Sequence, residues 1–537
     1  MRSGRPRPWW QTGIVYEIYV RSFQDTDGDG VGDLAGIAAR ADYLADLGVD
    51  AVWLTPFYPS PMADFGYDVA DYVGVDPVYG TLADFDAMLA ALRDRGIRTV
   101  LDLVPNHTSD RHPWFVESCA SRTSPRRAWY VWRDAAPDGG LPNNWLSQSG
   151  ASAWTFDPAT GQYYLHSFLP EQPDLDWRNP AVRSAILDVM RFWLDRGVAG
   201  FRVDVFQGLL KDPAFRDDPP NPDFRDGDPT FTRLAQTNSS NQPGVVDIAA
   251  GMRALLAGYP GDPVLIGEIY APVERLAGYY GPGLSGVQLP FNFNLFAVPW
   301  EAAAIRDLVL RYEAALPDGA WPNWVLGNHD IARVATRLGP AQARIAMMLL
   351  LTLRGTPTLY QGDELGMEDV EVPPDRVRDS FARFGKGRGR DPERAPMPWD
   401  EGPYRGFSRV EPWLPAPAPG RPPSAATQAG EPGSLLALTR ALVALRRAEP
   451  ALSEGSWRAV SAPDGVLAYD RAEAGRTCRV VLNLTPRAAT VEVPAGMRIA
   501  VGSHGPLWDR AGTTIRLRPD EGLVLVPPPA DGSETGP

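Results

Sequence analysis

The chain has 537 residues, 44% hydrophobic and 10% aromatic, and a single apolar core rarely grows past about 250 to 300 residues, so two or three domains are expected. Acidic residues outnumber basic ones 66 to 52 for a net charge of −14, with no Lys/Arg stripe to neutralise phosphates, which argues against nucleic acid as a partner. Cys119 and Cys478 are the only cysteines and Lys211 and Lys386 the only lysines, too few for a disulfide framework, a cysteine metal cluster or most Schiff-base mechanisms.

From the N-terminus, MRSGRPRPWWQTGIVYEIYV lacks the apolar core of a secretory signal. No later run reaches the roughly 18 to 20 apolar residues of a membrane span, so a cytoplasmic protein with no membrane partner is expected. The first strand candidate is IVYEIYV from 14, followed by the acidic loop DTDGDGVGD at 25–33. There Asp25, Asp27 and Asp29 occupy positions one, three and five of an EF-hand-like loop, with the Val31 carbonyl at seven and Asp33 at nine. Position twelve is Gly36, so the bidentate Glu of a true EF-hand is missing. The loop reads as an ion site or as a solvated acidic turn.

Strand candidates continue with AVWLTP from 51, TVLDLVPN from 99, GFRVDV from 200, VLIGEI from 264, VQLPFNF from 287, WVLGNHD from 324 and TPTLYQGDE from 356. Between them, helical periodicity covers 33–48, 82–96 and 179–197, each ending at Gly, and later 339–355 and 434–450. This alternation predicts an α/β fold, a (β/α)₈ TIM barrel, over 1–105 and 178–452. The interval 106–177 is too long for a loop and carries Trp129, Tyr130, Trp132, Trp145, Trp154, Tyr163 and Tyr164, so a small folded subdomain is expected after strand three. A second long connection, 208–244, is rich in Pro, Asp and Asn, and the Pro-rich 412–432 reads as extended or mobile. Short alternating runs (GVLAYDR, CRVVLNLT, ATVEVP, IRLRP, GLVLVP) predict a C-terminal antiparallel β-sandwich over 453–530, with a disordered tail at 531–537.

Four segments place charged or imidazole side chains at the ends of buried strands: DLVPNH at 102–107, GFRVDV at 200–205, IGEI at 266–269 and NHD at 328–330. The C-terminal ends of barrel strands are where such enzymes keep their chemistry. His107 or His329, taken alone, reads as a core imidazole satisfied by backbone. No third ligand gives the pair metal spacing.

At these motifs, in this order, the chain resembles the α-amylase superfamily, glycoside hydrolase family thirteen, in its α-glucosidase and oligo-1,6-glucosidase branch, over nearly its whole length. The resemblance implies that Asp204 is a nucleophile, Glu268 a general acid/base and Asp330 a stabiliser of the transition state. Arg202, two residues before Asp204, shares its strand face and would keep it ionised, while Asp204 and Asp330 would raise Glu268 so that it holds its proton. The resemblance further implies that His107 and His329 bond sugar hydroxyls, and that Asp64 and Tyr67, in DFGYD, hold and stack on a terminal glucose. Phe168 and Gln172, in SFLPEQPDLDW, match positions lining the same pocket; Asp176 stands where the branch usually has Asn. Val205 goes with acceptance of α-1,6 linkages in that branch, although strand packing explains a Val equally well.

The expectation is therefore a retaining, exo-acting α-glucosidase for short α-1,4 or α-1,6 glucosides, working through a glucosyl-enzyme intermediate. It needs no catalytic cofactor and carries one structural Ca²⁺ or Mg²⁺ on Asp25, Asp27, Asp29, Val31 and Asp33. Rival expectations are a trehalose synthase or sucrose/maltose-type transglucosidase, transfer to a non-sugar acceptor, and a non-catalytic barrel accessory protein. The last predicts eroded carboxylates, which Asp204, Glu268 and Asp330 contradict.

Overall fold

The computed structural model describes residues 7–384, 389–505 and 513–528; the tail expected to be disordered, and Lys386, lie outside them. In chain order the strands are β1 (Val15–Ile18), β2 (Ala51–Leu54) and β3 (Arg98–Leu103). They are followed by β4 (Trp132–Arg133), β5 (Trp154–Asp157) and β6 (Gln162–Leu165), then β7 (Gly200–Val203), β8 (Val264–Gly267), β9 (Leu289–Pro290), β10 (Asn323–Val325) and β11 (Thr356–Tyr360). Eight of these form one sheet in the order β10-β11-β1-β2-β3-β7-β8-β9. Every pairing in it is parallel. The result is a nearly closed barrel whose sixth and seventh strands, β9 and β10, are the sheet's two ends. Each of the eight apolar runs read from the sequence contributes one strand.

Burial on both faces is why those runs are continuously apolar. Alternation within them still matters. Tyr16, Ile18, Val52, Leu54, Leu101, Leu103, Phe201, Val203 and Leu265 pack outward with the helices. Val15, Ala51, Trp53, Val100, Val264 and Ile266 belong to a separate inner cluster. A period of two then carries Glu17, Asp102, Arg202, Asp204 and Glu268 to the interior at the strands' C-terminal ends.

The helix expected over 33–48 is two pieces, Leu34–Ala39 and Ala41–Leu47, and ends at Gly48 in the left-handed region, φ 86°. The helix Pro180–Asp195 starts as its sequence suggests, with Asn179 Oδ1 accepting from the Ala181 N–H and Pro180 in the first turn. Helices Val245–Leu256 and Ala302–Ala315 were not among the expected ones.

The inserted segment carries a three-stranded antiparallel sheet, β4-β6-β5. Its core of Val131, Trp145, Ala153, Trp154 and Leu165 takes in Phe215 from the 208–244 connection, and Arg133 lies 3.6 Å over the Phe215 ring. That connection is pinned again where Asp218 accepts from the Asn238 N–H at 2.6 Å and the Ser239 hydroxyl at 2.5 Å.

The Pro-rich 412–432 does not lie free as expected: Trp413 donates to Ser22 Oγ at 3.0 Å, Leu414 is buried, and Ala425–Ala429 is helical. Two large apolar anchors outweigh the local preference of proline for extended chain.

After the barrel come β12 (Ser456–Val460), β13 (Val466–Glu473), β14 (Arg476–Asn483), β15 (Ala489–Glu492), β16 (Arg498–Gly502), β17 (Thr514–Leu517) and β18 (Gly522–Val526). They make a five-stranded sheet, β12-β13-β14-β18-β16, and a two-stranded one, β15-β17, joined by an apolar layer including Val466, Val481, Val491, Leu517 and Leu525. Strands β12 and β16 were missed in the sequence, β12 because its residues stay half-exposed. Among the described residues, no helix is long and apolar enough to cross a membrane.

Candidate active site

Arg202, fully buried, organises the barrel mouth. Its Nη1 donates to Asp204 Oδ1 at 2.7 Å and to Asp102 Oδ1 at 2.9 Å, while Nη2 lies 3.2 Å from Glu268 Oε1. The guanidinium sits 4.8 Å over the Trp53 ring, whose Nε1–H donates to Asp102 Oδ2 at 3.1 Å. One cation thus faces three buried carboxyl groups. The sequence reading assigned Arg202 to Asp204 as the influence that keeps it ionised. In the structure, burial is the largest influence on Asp204 and the Glu268 charge the next, both raising its pKa well above the ordinary value, while Arg202 works against them. The charge of the neighbouring Glu268 thus adds to burial in favouring the protonated form of Asp204, against the expectation that Arg202 would decide its ionisation.

Glu268 is held from a second side by the Val205 backbone N–H, 2.9 Å from Oε2. Val205 reaches that position in the left-handed region, φ 48° and ψ 41°, an uncommon conformation for a β-branched residue and one that costs of order 1–3 kcal/mol. The residue is the turn off β7, not a strand-packing position.

Asp330 stands in a different field. Its Oδ1 accepts from Arg394 Nη2 at 2.7 Å and Arg390 Nη1 at 3.1 Å, and Oδ2 lies 3.3 Å from His329 Nε2. Burial works to raise Asp330, but His329, Arg390, Arg394 and Arg202 outweigh it and hold the carboxylate far below its usual range. Asp204 and Asp330 are therefore pushed in opposite directions, with Asp330 the carboxylate most strongly held in its anionic form.

Asp64 accepts from Arg390 Nη2 at 2.5 Å and from Gln172 Nε2 at 3.2 Å. Arg390 also donates to Asp379 Oδ1 at 2.9 Å, so a single guanidinium ties Asp64, Asp330 and Asp379 together. Gln172 Nε2 lies 3.1 Å from His107 Nε2, and Phe168 packs 5.2 Å from the His107 ring. Both nitrogens of His107 are engaged within the protein, Nε2 by the Tyr67 carbonyl at 3.0 Å and Nδ1 by Asn106 at 3.2 Å. One face of Tyr67 stacks on His329, centroids 5.4 Å apart at 14°, and its hydroxyl donates to Asp102 Oδ2 at 3.0 Å. Burial, the largest influence on each imidazole, pushes His107 down to about 4 and His329 well below the ordinary value, so both are neutral.

The expected residues at 64, 67, 107, 168, 172, 202, 204, 205, 268, 329 and 330 therefore converge on one place. Glu17, Trp53, Asp102, Asp379, Arg390 and Arg394 join them without having been singled out. Period-two alternation was the available signal for Glu17, Trp53 and Asp102. Asp379, Arg390 and Arg394 come from a Gly- and Arg-rich loop with no pattern of its own.

The acidic loop lies apart from this cluster. Carboxylate oxygens of Asp25, Asp27 and Asp29 fall within 4.8 Å of one another. Asp33 does not join them as expected: Oδ1 caps the following helix at the Gly36 N–H, 2.6 Å, and Oδ2 accepts from the Thr26 N–H at 2.7 Å. Helix capping competes for the same lone pairs a cation would need.

The family profile described as "Alpha amylase, catalytic domain" matches residues 17–455. A probable alpha-glucosidase of Rhizobium meliloti (strain 1021) is 40% identical over 516 residues, 93% of each chain. An oligo-1,6-glucosidase of Halalkalibacterium halodurans is 35% identical, covering 96% of this chain and 99% of its own. Among solved structures, the alpha-glucosyl transfer enzyme XgtA superposes with a TM-score of 0.92 at 40% identity over 97% of this chain and 100% of its own. The trehalulose synthase MutB from Pseudomonas mesoacidophila MX-45 gives 0.88 at 33% identity, with 97% and 100% coverage. The chain belongs to the α-amylase catalytic-domain family.

Proposed function

We propose that this α-amylase family member is a retaining, exo-acting α-glucosidase that releases terminal glucose from short α-glucosides. The observation that carries the reading is Arg202 standing between Asp204 and Glu268, with contacts of 2.7 and 3.2 Å. A retaining glycosidase needs a nucleophilic carboxylate and a proton-donating carboxyl on either side of the scissile bond. Attack requires the ionised form of Asp204 and the protonated form of Glu268, and in that state Asp204 attacks the anomeric carbon. That step forms the Asp204–glucose ester while Glu268 protonates the departing glycosidic oxygen. Glu268 then takes a proton from water, whose oxygen displaces Asp204. Asp330, kept anionic by Arg390 and Arg394, faces the positive charge that develops on the sugar ring. The Arg390–Asp64 link, shared with Asp330, ties the loop at 390 to Asp64 beside the catalytic carboxylates, an arrangement that suits a chain terminus better than the middle of a polymer.

A specific feature favours transfer to an acceptor beside hydrolysis. Tyr270, two residues past Glu268 and 46% exposed, stacks on Phe293 with centroids 4.4 Å apart, and Phe296 continues the row at 5.3 Å. An apolar ledge beside the acid/base holds an acceptor while displacing water. The similarity to XgtA and MutB, named for transfer and synthesis, accords with this.

Asp25, Asp27 and Asp29 suit a structural Ca²⁺ or Mg²⁺, since Asp27 is raised by burial and then by the charge of Asp29, a repulsion a cation removes. Its signature is a calcium-dependent rise in Tm reversed by chelation and lost in Asp27→Asn.

The deciding experiment offers maltose, isomaltose, sucrose and trehalose separately and follows products by NMR. Initial release of α-glucose, with or without transferred or isomerised sugar, is expected; initial release of β-glucose excludes the retaining mechanism.

A further inference from the structure

Glu17, on the first barrel strand, is 0% exposed, and the mechanism above leaves it without a task. Its Oε1 lies 2.5 Å from His329 Nδ1. On the other side of the same ring, Nε2 lies 2.9 Å from the Tyr67 hydroxyl and 3.3 Å from Asp330 Oδ2. The Tyr67 hydroxyl in turn lies 3.0 Å from Asp102 Oδ2. These contacts run in one chain from strand one to Arg202 and Asp204.

Each contact needs one proton. Asp102 is bound to Arg202 and accepts, so the single Tyr67 proton goes to Asp102 and the tyrosine oxygen must itself be approached by a donor. Asp330 is a carboxylate and offers only lone pairs. His329 Nε2 therefore has to carry hydrogen. With the ring neutral, Nδ1 is then an acceptor, and Glu17 must bring the proton. A histidine with hydrogen on Nδ1 alone would set the Nε2 lone pair against the oxygens of Tyr67 and Asp330, leaving a buried clash of acceptors. An imidazolium would satisfy the count, but burial opposes its charge most, and Arg394, Arg202 and Arg390 add to that opposition while Asp330 favours it, with the net influence toward the neutral ring.

We propose that Glu17 is a positioning residue: as a neutral carboxylic acid it donates its proton to Nδ1 of His329 and so fixes Nε2–H as the donor facing Tyr67 and Asp330. The other charged and titratable groups around Glu17 come from several strands, and their sum agrees. Burial is the largest influence and raises its pKa, Arg202 on β7 lowers it, Asp330 and Asp102 raise it again, and the His329 backbone lowers it by a smaller amount. Tyr360, the register partner of Glu17 on β11, is also buried beside it. Glu17 Oε2 has no hydrogen-bond partner, which a neutral acid tolerates far better than an anion does. The role in turnover rests on the glucosidase reading; the tautomer itself does not.

The test begins with the whole protein, ¹⁵N-labelled at histidine. The chain has five histidines, so a His329→Asn variant assigns the His329 signals. A neutral ring protonated at Nε2 is expected near pH 7. Protonation at Nδ1 alone, or at both nitrogens, overturns the proposal whatever the substrate proves to be. Glu17→Gln, whose amide N–H also donates to Nδ1, should keep the tautomer and stay within about threefold of the parent kcat on 4-nitrophenyl α-glucoside. Glu17→Leu should lose about tenfold or more in kcat with a smaller change in KM, because Nδ1 is then left buried without a donor and the ring is no longer held in place against Tyr67 and Asp330. Parent-like kcat in the Leu variant, or equal loss in both variants with near-UV circular dichroism unchanged, overturns it as well.

Discussion

Arg390 reaches Asp64 across 326 residues of chain, Nη2 to Oδ1 at 2.5 Å. The same guanidinium binds Asp379 and Asp330 at 2.9 and 3.1 Å. A planar fork with fixed donors spans three carboxylates in a way a lysine ammonium does not.

Arg390→Lys should therefore keep the charge and lose the geometry. A charge-assisted hydrogen bond is worth about 1.5 to 3 kcal/mol, so KM for a short glucoside should rise about tenfold or more. Steady-state kinetics on maltose decides this; an unchanged KM would detach Arg390 from the sugar pocket.

Asp204→Asn should lower kcat by at least about 10³-fold, since no other group replaces the nucleophile. The same variant carries a stability signature. Burial and then the Glu268 charge raise the folded-state pKa of Asp204 above 3.8, so its contribution to stability is full below the unfolded value and is lost as pH rises through the folded one. Asn has no proton to lose. Its Tm minus that of the parent should accordingly rise as pH climbs above the ordinary aspartate range, and calorimetry in which that difference falls with pH would contradict this.

Gly208→Ala tests the support behind Val205. A Cβ at Gly208 would stand 2.8 Å from Val205 Cγ1 and 3.2 Å from Asn106 Oδ1. Val205 is already strained and its N–H holds Glu268, so the clash has two readouts. Stability should fall by about 1 to 3 kcal/mol in urea titration, and kcat should fall with it.

Lys211 is a buried residue that composition alone marks as unusual. Its Nζ binds Asp174 Oδ2 at 2.7 Å, Asn106 Oδ1 at 2.8 Å and the Gly208 carbonyl at 2.5 Å, fastening the inserted segment to the end of β3 and the turn after β7. Lys211→Met leaves Asp174 buried without its cation, a loss of about 3 to 5 kcal/mol. Denaturant unfolding measures it, and a midpoint equal to the parent's would show that Ser167 and Asn106 satisfy Asp174 unaided.

The barrel was readable because burying a strand on both faces demands unbroken apolar runs, and polar residues at the ends of such runs are conspicuous. Asp204, Glu268 and Asp330 stood out for that reason. Strand β12 did not, since its residues alternate between exposed and half-buried positions. The acidic loop shows the opposite failure, in which spacing suggested Asp33 as a ligand and the next helix used it as a cap.

The order of the eight barrel strands, and the strand-end residues Asp204, Glu268 and Asp330 at its mouth, follow from the chain alone, because alternation and strand ends are local properties. Who shares a proton with whom does not. Arg202 divided among Asp102, Asp204 and Glu268, Arg390 closing on Asp64, and Glu17 meeting His329 all join residues from different strands and loops. Their electrostatics depend on distance and burial, quantities that exist only once the barrel has brought them together.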